Sequence, residues 1–130
     1  MKAVIDTNVL VSALWKNEGN AYFLLSNVIN GKITPCYDSR IMTEYQDVLL
    51  RPKFKFSVLQ VHSLIDIFIY NGESVTPTAL PKVKVSDEDD RAFYEVAKFC
   101  DVPLVTGNLR HFPEDPIIFS LANFCKTYLY

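Results

Sequence analysis

The chain has 130 residues, 49% of them hydrophobic, with a mean hydropathy of +0.10. That supports one domain with its own core and argues against a disordered polar chain. The formal net charge is −2, so binding nucleic acid by diffuse phosphate neutralisation is not expected. A nucleic-acid role would need a local basic patch or a metal ion between carboxylate and phosphate. The longest apolar run, around residues 64–70, is broken by Asp66 and is too short to span a bilayer. Cys36, Cys100 and Cys125 are odd in number and have no paired spacing, as expected of free thiols in a reducing cytoplasm. Lys2 is followed by no long apolar region or small-residue cleavage site, so no signal peptide is expected.

In chain order, residues 2–5 form a short apolar run that ends at Asp6-Thr7-Asn8, three residues that favour helix N-caps. An apolar helix over residues 9–15 follows, so Asp6 stands where a strand gives way to a helix. In open α/β sheets ligands bind at that end of a strand. A carboxylate there is either a helix cap or part of a site. Ala21, Leu24, Leu25 and Val28 share one helical face, and Asn30-Gly31 ends that helix. Residues 33–37 read as a strand, in which Pro35 suits an edge or an end.

Asp38 and Ser39 cap a helix over residues 40–50, whose apolar stripe is Ile41, Tyr45, Val48 and Leu49. Glu44 falls on that inward stripe, where a merely solvated Glu would not be. Arg51-Pro52-Lys53-Phe54-Lys55-Phe56 is a basic and aromatic link. Ser57 then caps a helix with Val58, Val61, Leu64, Ile65 and Phe68 on one face, stopped at Asn71-Gly72. His62 and Asp66, four apart on this helix, read as a partly exposed hydrogen-bonded pair rather than metal ligands. A loop over residues 73–81 has room for a short strand at residues 74–76.

Ser86-Asp87-Glu88-Asp89-Asp90 opens a helix over residues 91–100. Acidic residues there suit the positive end of the helix dipole, and Asp87, Glu88 and Asp89 read as cap and solvated charge. Asp90 shares the inward stripe of Phe93, Val96, Ala97 and Cys100. Residues 102–105 form a strand that exits through Thr106-Gly107-Asn108. A short helical turn follows at residues 109–113, then a strand at 117–119, and Ser120 caps a last helix over 121–128. Strands alternating with helices indicate parallel strands joined by helical crossovers.

Three carboxylates, Asp6, Glu44 and Asp90, thus stand at inward or strand-end positions. Burying them together is costly unless a cation neutralises them. A hard divalent ion takes such oxygen ligands, polarises phosphoryl oxygens and lowers the pKa of bound water, which is the chemistry of phosphodiester hydrolysis.

The chain resembles the PIN domain family, specifically its bacterial branch of toxins from toxin–antitoxin pairs. The motifs are Val4-Ile5-Asp6-Thr7-Asn8-Val9-Leu10-Val11-Ser12-Ala13, Glu44-Tyr45-Gln46-Asp47-Val48-Leu49 with Arg51-Pro52-Lys53-Phe54, and Asp87-Glu88-Asp89-Asp90 running into Phe93 and Ala97. Leu104-Val105-Thr106-Gly107-Asn108 and His111-Phe112-Pro113 complete the set, in order over nearly the whole chain. The resemblance implies a three-layer α/β/α sandwich with a central, mostly parallel sheet. It also implies a ribonuclease dependent on Mg²⁺ or Mn²⁺ that cuts single-stranded RNA, with Asp6, Glu44 and Asp90 as catalytic metal ligands. Many relatives carry a fourth acid where this chain has Asn108, which brings an amide oxygen but no charge. That departure leaves one-metal catalysis open.

Thr7, Asn8 and Thr106 are candidates for orienting ligands or water, with capping and turn roles as the alternative. Arg51, Lys53, Arg110 and His111 are the candidate phosphate contacts, surface charge being the default. Tyr22, Phe23, Phe54 and Phe56 are candidates for stacking on bases, although core or interface packing explains them as well. Trp15 reads as core or dimer interface. The partners implied are RNA, an antitoxin protein and a second copy of the chain, with no membrane. The alternative is a PIN scaffold that binds RNA or protein without cutting. A small-molecule phosphatase would use the same metal chemistry.

Overall fold

The computed structural model describes residues 1–130. Five strands, β1 (Lys2–Ile5), β2 (Thr34–Tyr37), β3 (Glu73–Ser74), β4 (Leu104–Thr106) and β5 (Ile118–Ser120), form one sheet in the order β3-β2-β1-β4-β5. All four neighbouring pairs are parallel. The alternation in the sequence therefore has its expected consequence, because parallel neighbours need crossovers. The central strand β1 is buried on both faces, with Ala3, Val4 and Ile5 fully covered.

Six helices clothe the sheet: α1 (Thr7–Trp15), α2 (Gly19–Ile29), α3 (Ser39–Leu49), α4 (Val58–Asn71), α5 (Glu88–Cys100) and α6 (Leu121–Tyr128). α5 lies across β1, β2 and β4, while α2 packs against α1, α4 and α6 to build the other layer. The result is a three-layer α/β/α sandwich. α3 touches α1, α4 and α5, and so bridges the two layers. Its Tyr45 is fully buried, with its ring edge-on to Phe68 of α4 and tilted against Phe93 of α5. The Tyr45 hydroxyl donates a 2.5 Å hydrogen bond to the carbonyl of Ile5, the last residue of β1. This bond pins α3 to the carboxyl end of the central strand.

The predicted caps act as caps. Asp38, Ser57 and Ser120 accept from the backbone N–H of Ile41, Gln60 and Asn123. Boundaries moved by one to three residues: α5 starts at Glu88 rather than at residue 91, and β4 at Leu104 rather than at residue 102. Asp87 sets the first of these, because its carboxylate caps Asp89 N and draws the acidic run into the helix.

Pro35 stands near the start of its strand, at a locally unpaired side of the sheet. It lies in β2, second from the sheet edge, paired with Ala3. It is tolerated because Thr34 N points to Met1 O on the β1 side. The N–H that residue 35 lacks would face β3, whose pairing begins only at Cys36. Close to it, a Cβ on Gly72 would come within 2.6 Å of Pro35 O, so only glycine lets α4 end there.

His62 and Asp66 are both exposed on α4; no ion pair or hydrogen bond joins them. The three cysteines are free. No helix is long and apolar enough to cross a membrane.

Candidate active site

Asp6 follows β1 in extended conformation and caps α1, so the cap role and the site role fall on one residue. Its Oδ1 accepts from Thr7 N at 2.8 Å, and its Oδ2 accepts from the Thr106 hydroxyl at 2.7 Å. Asp6 is 4% exposed. Burial pushes its carboxyl above the usual range, with the two hydrogen bonds pulling the other way. The Thr106 hydroxyl also accepts from Asn108 N at 3.0 Å, and Asn8 Oδ1 accepts from Gly107 N at 3.0 Å. These bonds tie the exits of the adjacent strands β1 and β4 together.

A cleft of about 390 Å³ opens there, lined by Asp6, Thr7, Asn8, Glu44, Arg51, Asp90 and His111 among others. The three carboxylates picked from separate helices and a strand end thus share one cavity. Glu44 is half-buried, and burial raises its carboxyl, aided by the nearby charge of Asp89 and offset by Arg51. Asp90 is pushed up to about 6 by burial first and by the charge of Asp6 second, with His111 opposing.

The hydrogen-bond inventory singles out this cleft. Two buried side-chain polar atoms in the molecule have no hydrogen-bond partner, Thr7 Oγ1 and Asp90 Oδ2. Both residues line it. An unpartnered buried carboxylate oxygen is expensive, and native folds keep few of them. His111 Nδ1 stands 3.3 Å from Asp90 Oδ2 without hydrogen-bonding geometry.

No three His, Cys, Asp or Glu side chains stand close enough together to enclose an ion by themselves. The donor chemistry nonetheless suits a hard divalent cation: all-oxygen ligands, raised carboxyls and an orphaned carboxylate oxygen. Mg²⁺ keeps several waters and takes only one or two carboxylates directly, so it does not need a closed protein cage.

Other predicted residues separate. Asn108 does not line the cleft; its amide meets His111 Nε2 at 2.9 Å. Arg51 does line it, whereas Lys53 sits over the Phe54 ring, 5.1 Å from its centroid. Arg110 is exposed outside the cleft lining.

The PIN domain family profile matches residues 2–110. The chain belongs to the PIN domain family. Among solved structures, it is similar to a chain from the crystal structure of VapBC2 from Rickettsia felis bound to a DNA fragment from their promoter. That likeness is 20% in sequence identity, with a TM-score of 0.61, over 92% of this chain and 97% of the other. No curated protein matches its sequence.

Within this PIN fold, Val11, Ser12, Val48 and Phe54 complete the lining; Phe54 is among the stacking candidates of the sequence, and the other three carried no functional expectation. A usable signal existed for the first two. Asn8, Val11, Ser12 and Trp15 recur at the i, i+3, i+4, i+7 spacing from the Asp6 cap, which marks one face of α1.

Proposed function

We propose that the chain is a Mg²⁺- or Mn²⁺-dependent endoribonuclease acting on single-stranded RNA, the toxin of a cytoplasmic toxin–antitoxin pair. The observation that carries the reading is the convergence of Asp6, Glu44 and Asp90 on one cleft that also holds both orphaned polar atoms of the molecule. The family match and the fold likeness to VapBC2 support the biological setting. An antitoxin protein and a second copy of the chain are the partners this reading assigns. The 13% aromatic content supplies apolar surface for them.

Asp6, Glu44 and Asp90 would hold the ion, which supplies charge neutralisation of the phosphate and an acidified water nucleophile. The chain's own groups prepare that site. Thr7 N and the Thr106 hydroxyl fix both oxygens of Asp6, so its carboxylate is preorganised before substrate arrives. Asp90 is held beside His111, whose ring is in turn oriented by the Asn108 amide. Asn108 therefore acts on the cleft through His111. Arg51 brings a fixed positive charge for a phosphate oxygen.

The test is Asp6→Asn, which keeps the cap and the shape but removes the charge. Cleavage of single-stranded RNA in Mg²⁺ or Mn²⁺ should fall about a thousandfold, the scale of several kcal/mol of lost charge stabilisation. Equal, metal-independent cleavage by wild type and variant would sink the reading. A second reading, a PIN scaffold that binds RNA or a protein without cutting, draws on Asn108 and on the absence of a closed carboxylate trio. It predicts no divalent-cation binding by calorimetry at millimolar concentration.

A further inference from the structure

The face of α1 that starts at the cleft ends in an aromatic cluster that the chemistry above leaves unused. Val11 and Ser12 line both the carboxylate cleft and a second cavity of about 410 Å³, whose far wall is Trp15, Lys16, Glu18, Asn20 and Ala21. The two cavities thus share two wall residues on one helix face. From Asp6 to Trp15 the helix rises by about 13 Å, a span of a few nucleotides.

Trp15 is 59% exposed, so of the two places expected for it, core or dimer interface, the core is ruled out. It is nevertheless held in place. Its ring meets Phe54 at 5.6 Å and Phe56 at 6.1 Å, near-perpendicular to both, while Phe54 and Phe56 stack at 5.7 Å with their planes 13° apart. An indole fixed by two rings and still open to solvent is a ready surface for stacking. Four cations belong to the two cavities and the aromatic link beside them: Lys16 in the wall it shares with Trp15, Arg51 in the cleft, Lys53 over Phe54, and the exposed Lys55. In a chain of net charge −2, this is a local basic and aromatic patch. Glu18 is the one acid in that cavity wall.

The geometry points to a base-stacking subsite for single-stranded nucleic acid. An unpaired base lies on Trp15, against the Phe54–Phe56 pair, while the adjoining phosphates run past Lys53 and Arg51 into the carboxylate cleft. Aromatic rings interleaved with cations match the alternation of base and phosphate in a single strand, whereas a duplex keeps its base faces hidden. This inference rests on the ribonuclease reading for the direction of the strand. It concerns binding rather than cutting, so the two can fail separately.

The probe is a fluorescein-labelled single-stranded 12-mer, as RNA and as DNA, titrated in EDTA so that binding is read without cleavage. Trp15 is the sole tryptophan of the chain, so its own emission reports a base laid on it. Quenching of Trp15 on binding, with Kd raised at least about fivefold by Trp15→Ala and largely restored by Trp15→Phe, is the expected result. An oligomer made abasic at one position after another should show the same loss at one register with the wild-type protein, which removes any concern that the variant misfolds. Tighter binding of RNA than DNA would add a 2′-hydroxyl contact to the subsite; equal binding would leave stacking and charge alone. Binding without quenching and with unchanged Kd in Trp15→Ala would overturn the subsite, and so would absence of binding altogether. Concentration-dependent self-association that buries Trp15 emission would also overturn it, by assigning the patch to a second copy of the chain. In Mg²⁺ the wild-type protein should cut the same 12-mer that it only binds in EDTA. Loss of cutting in wild type with stacking intact would therefore indict the enzyme reading alone.

Discussion

Two groups of buried or half-buried carboxylates lie in this small fold, and they are built in opposite ways. Asp38 and Glu95 are 4% and 2% exposed, yet every bond they need is supplied. Arg40 donates to Asp38 Oδ2 at 2.8 Å through Nε and to Glu95 Oε1 at 2.7 Å. Ile41 N covers Asp38 Oδ1, and Leu80 N covers Glu95 Oε2. This group clamps α3, α5 and the loop before α5 together, and its charges are spent internally. Asp6, Glu44 and Asp90 share no guanidinium, and the one basic group paired with them is the His111 ring, 3.3 Å from Asp90 Oδ2. Arg51 lines their cleft, but it forms no ion pair with any of the three. The contrast separates carboxylates whose partners all lie within the fold from the carboxylates proposed to hold an ion.

Removing the cation from the satisfied group should give the largest effect on stability. Arg40→Ala leaves two buried carboxylates unpaired, a change that costs several kcal/mol in a dry interior. The Arg40 side chain is 48% exposed, so solvent screens part of this, and about 2 kcal/mol is expected. Thermal unfolding should shift down by roughly 5–10 °C. Cation binding at the cleft, measured by calorimetry below the melting range, should stay as in wild type. A lowered affinity for Mg²⁺ would mean that the two groups are coupled and the contrast is false.

Much of this division was legible in the sequence. Glu44 and Asp90 fall on inward stripes of amphipathic helices, and Asp6 at a strand end, so the three could be found by period and position alone. Asp38 was read as a cap, which it is, but its second role was invisible. Nothing in the spacing of Arg40 and Glu95, 55 positions apart, says that they meet. Trp15 stayed between two places for a related reason. A large apolar residue at the end of an apolar helix reads as core or interface, and only the chain's return through Phe54 and Phe56 shows it on the surface. Pro35 could be placed near a strand end, but the strand order around it could not, because order in a parallel sheet is not written locally. Periodicity reports which way a side chain points, and it is silent about which distant element waits there.

Protonation offers a second, smaller way to separate the groups. The Asp90 carboxyl is raised from 3.8 to about 6 in the folded protein, by burial and then by Asp6. Between these values the native state binds more protons than the unfolded state, so Asp90 makes stability fall as pH rises through that window. The effect is isolated by comparing wild type with Asp90→Asn in EDTA. The variant's melting temperature should overtake that of wild type as pH rises from about 4 to about 7. Millimolar Mg²⁺ should close the gap by stabilising wild type alone. A gap that is flat in pH would show that Asp90 is not paying for its burial in the metal-free protein.

The smallest effect is expected at Asn108, the position at which this chain departs from its family's fourth acid. Restoring the charge with Asn108→Asp would seem to complete the ligand set and tighten the ion. The geometry argues otherwise. The Asn108 side chain is turned to His111 at 2.9 Å and does not line the cleft. An introduced carboxylate would meet the imidazole first, at the ring nitrogen opposite the one that faces Asp90. Mg²⁺ affinity by calorimetry should therefore change by less than about tenfold. Should the affinity instead climb a hundredfold, the Asn108 side chain must be able to leave His111 and reach the ion. The open group would then contain a fourth member that the resting geometry conceals.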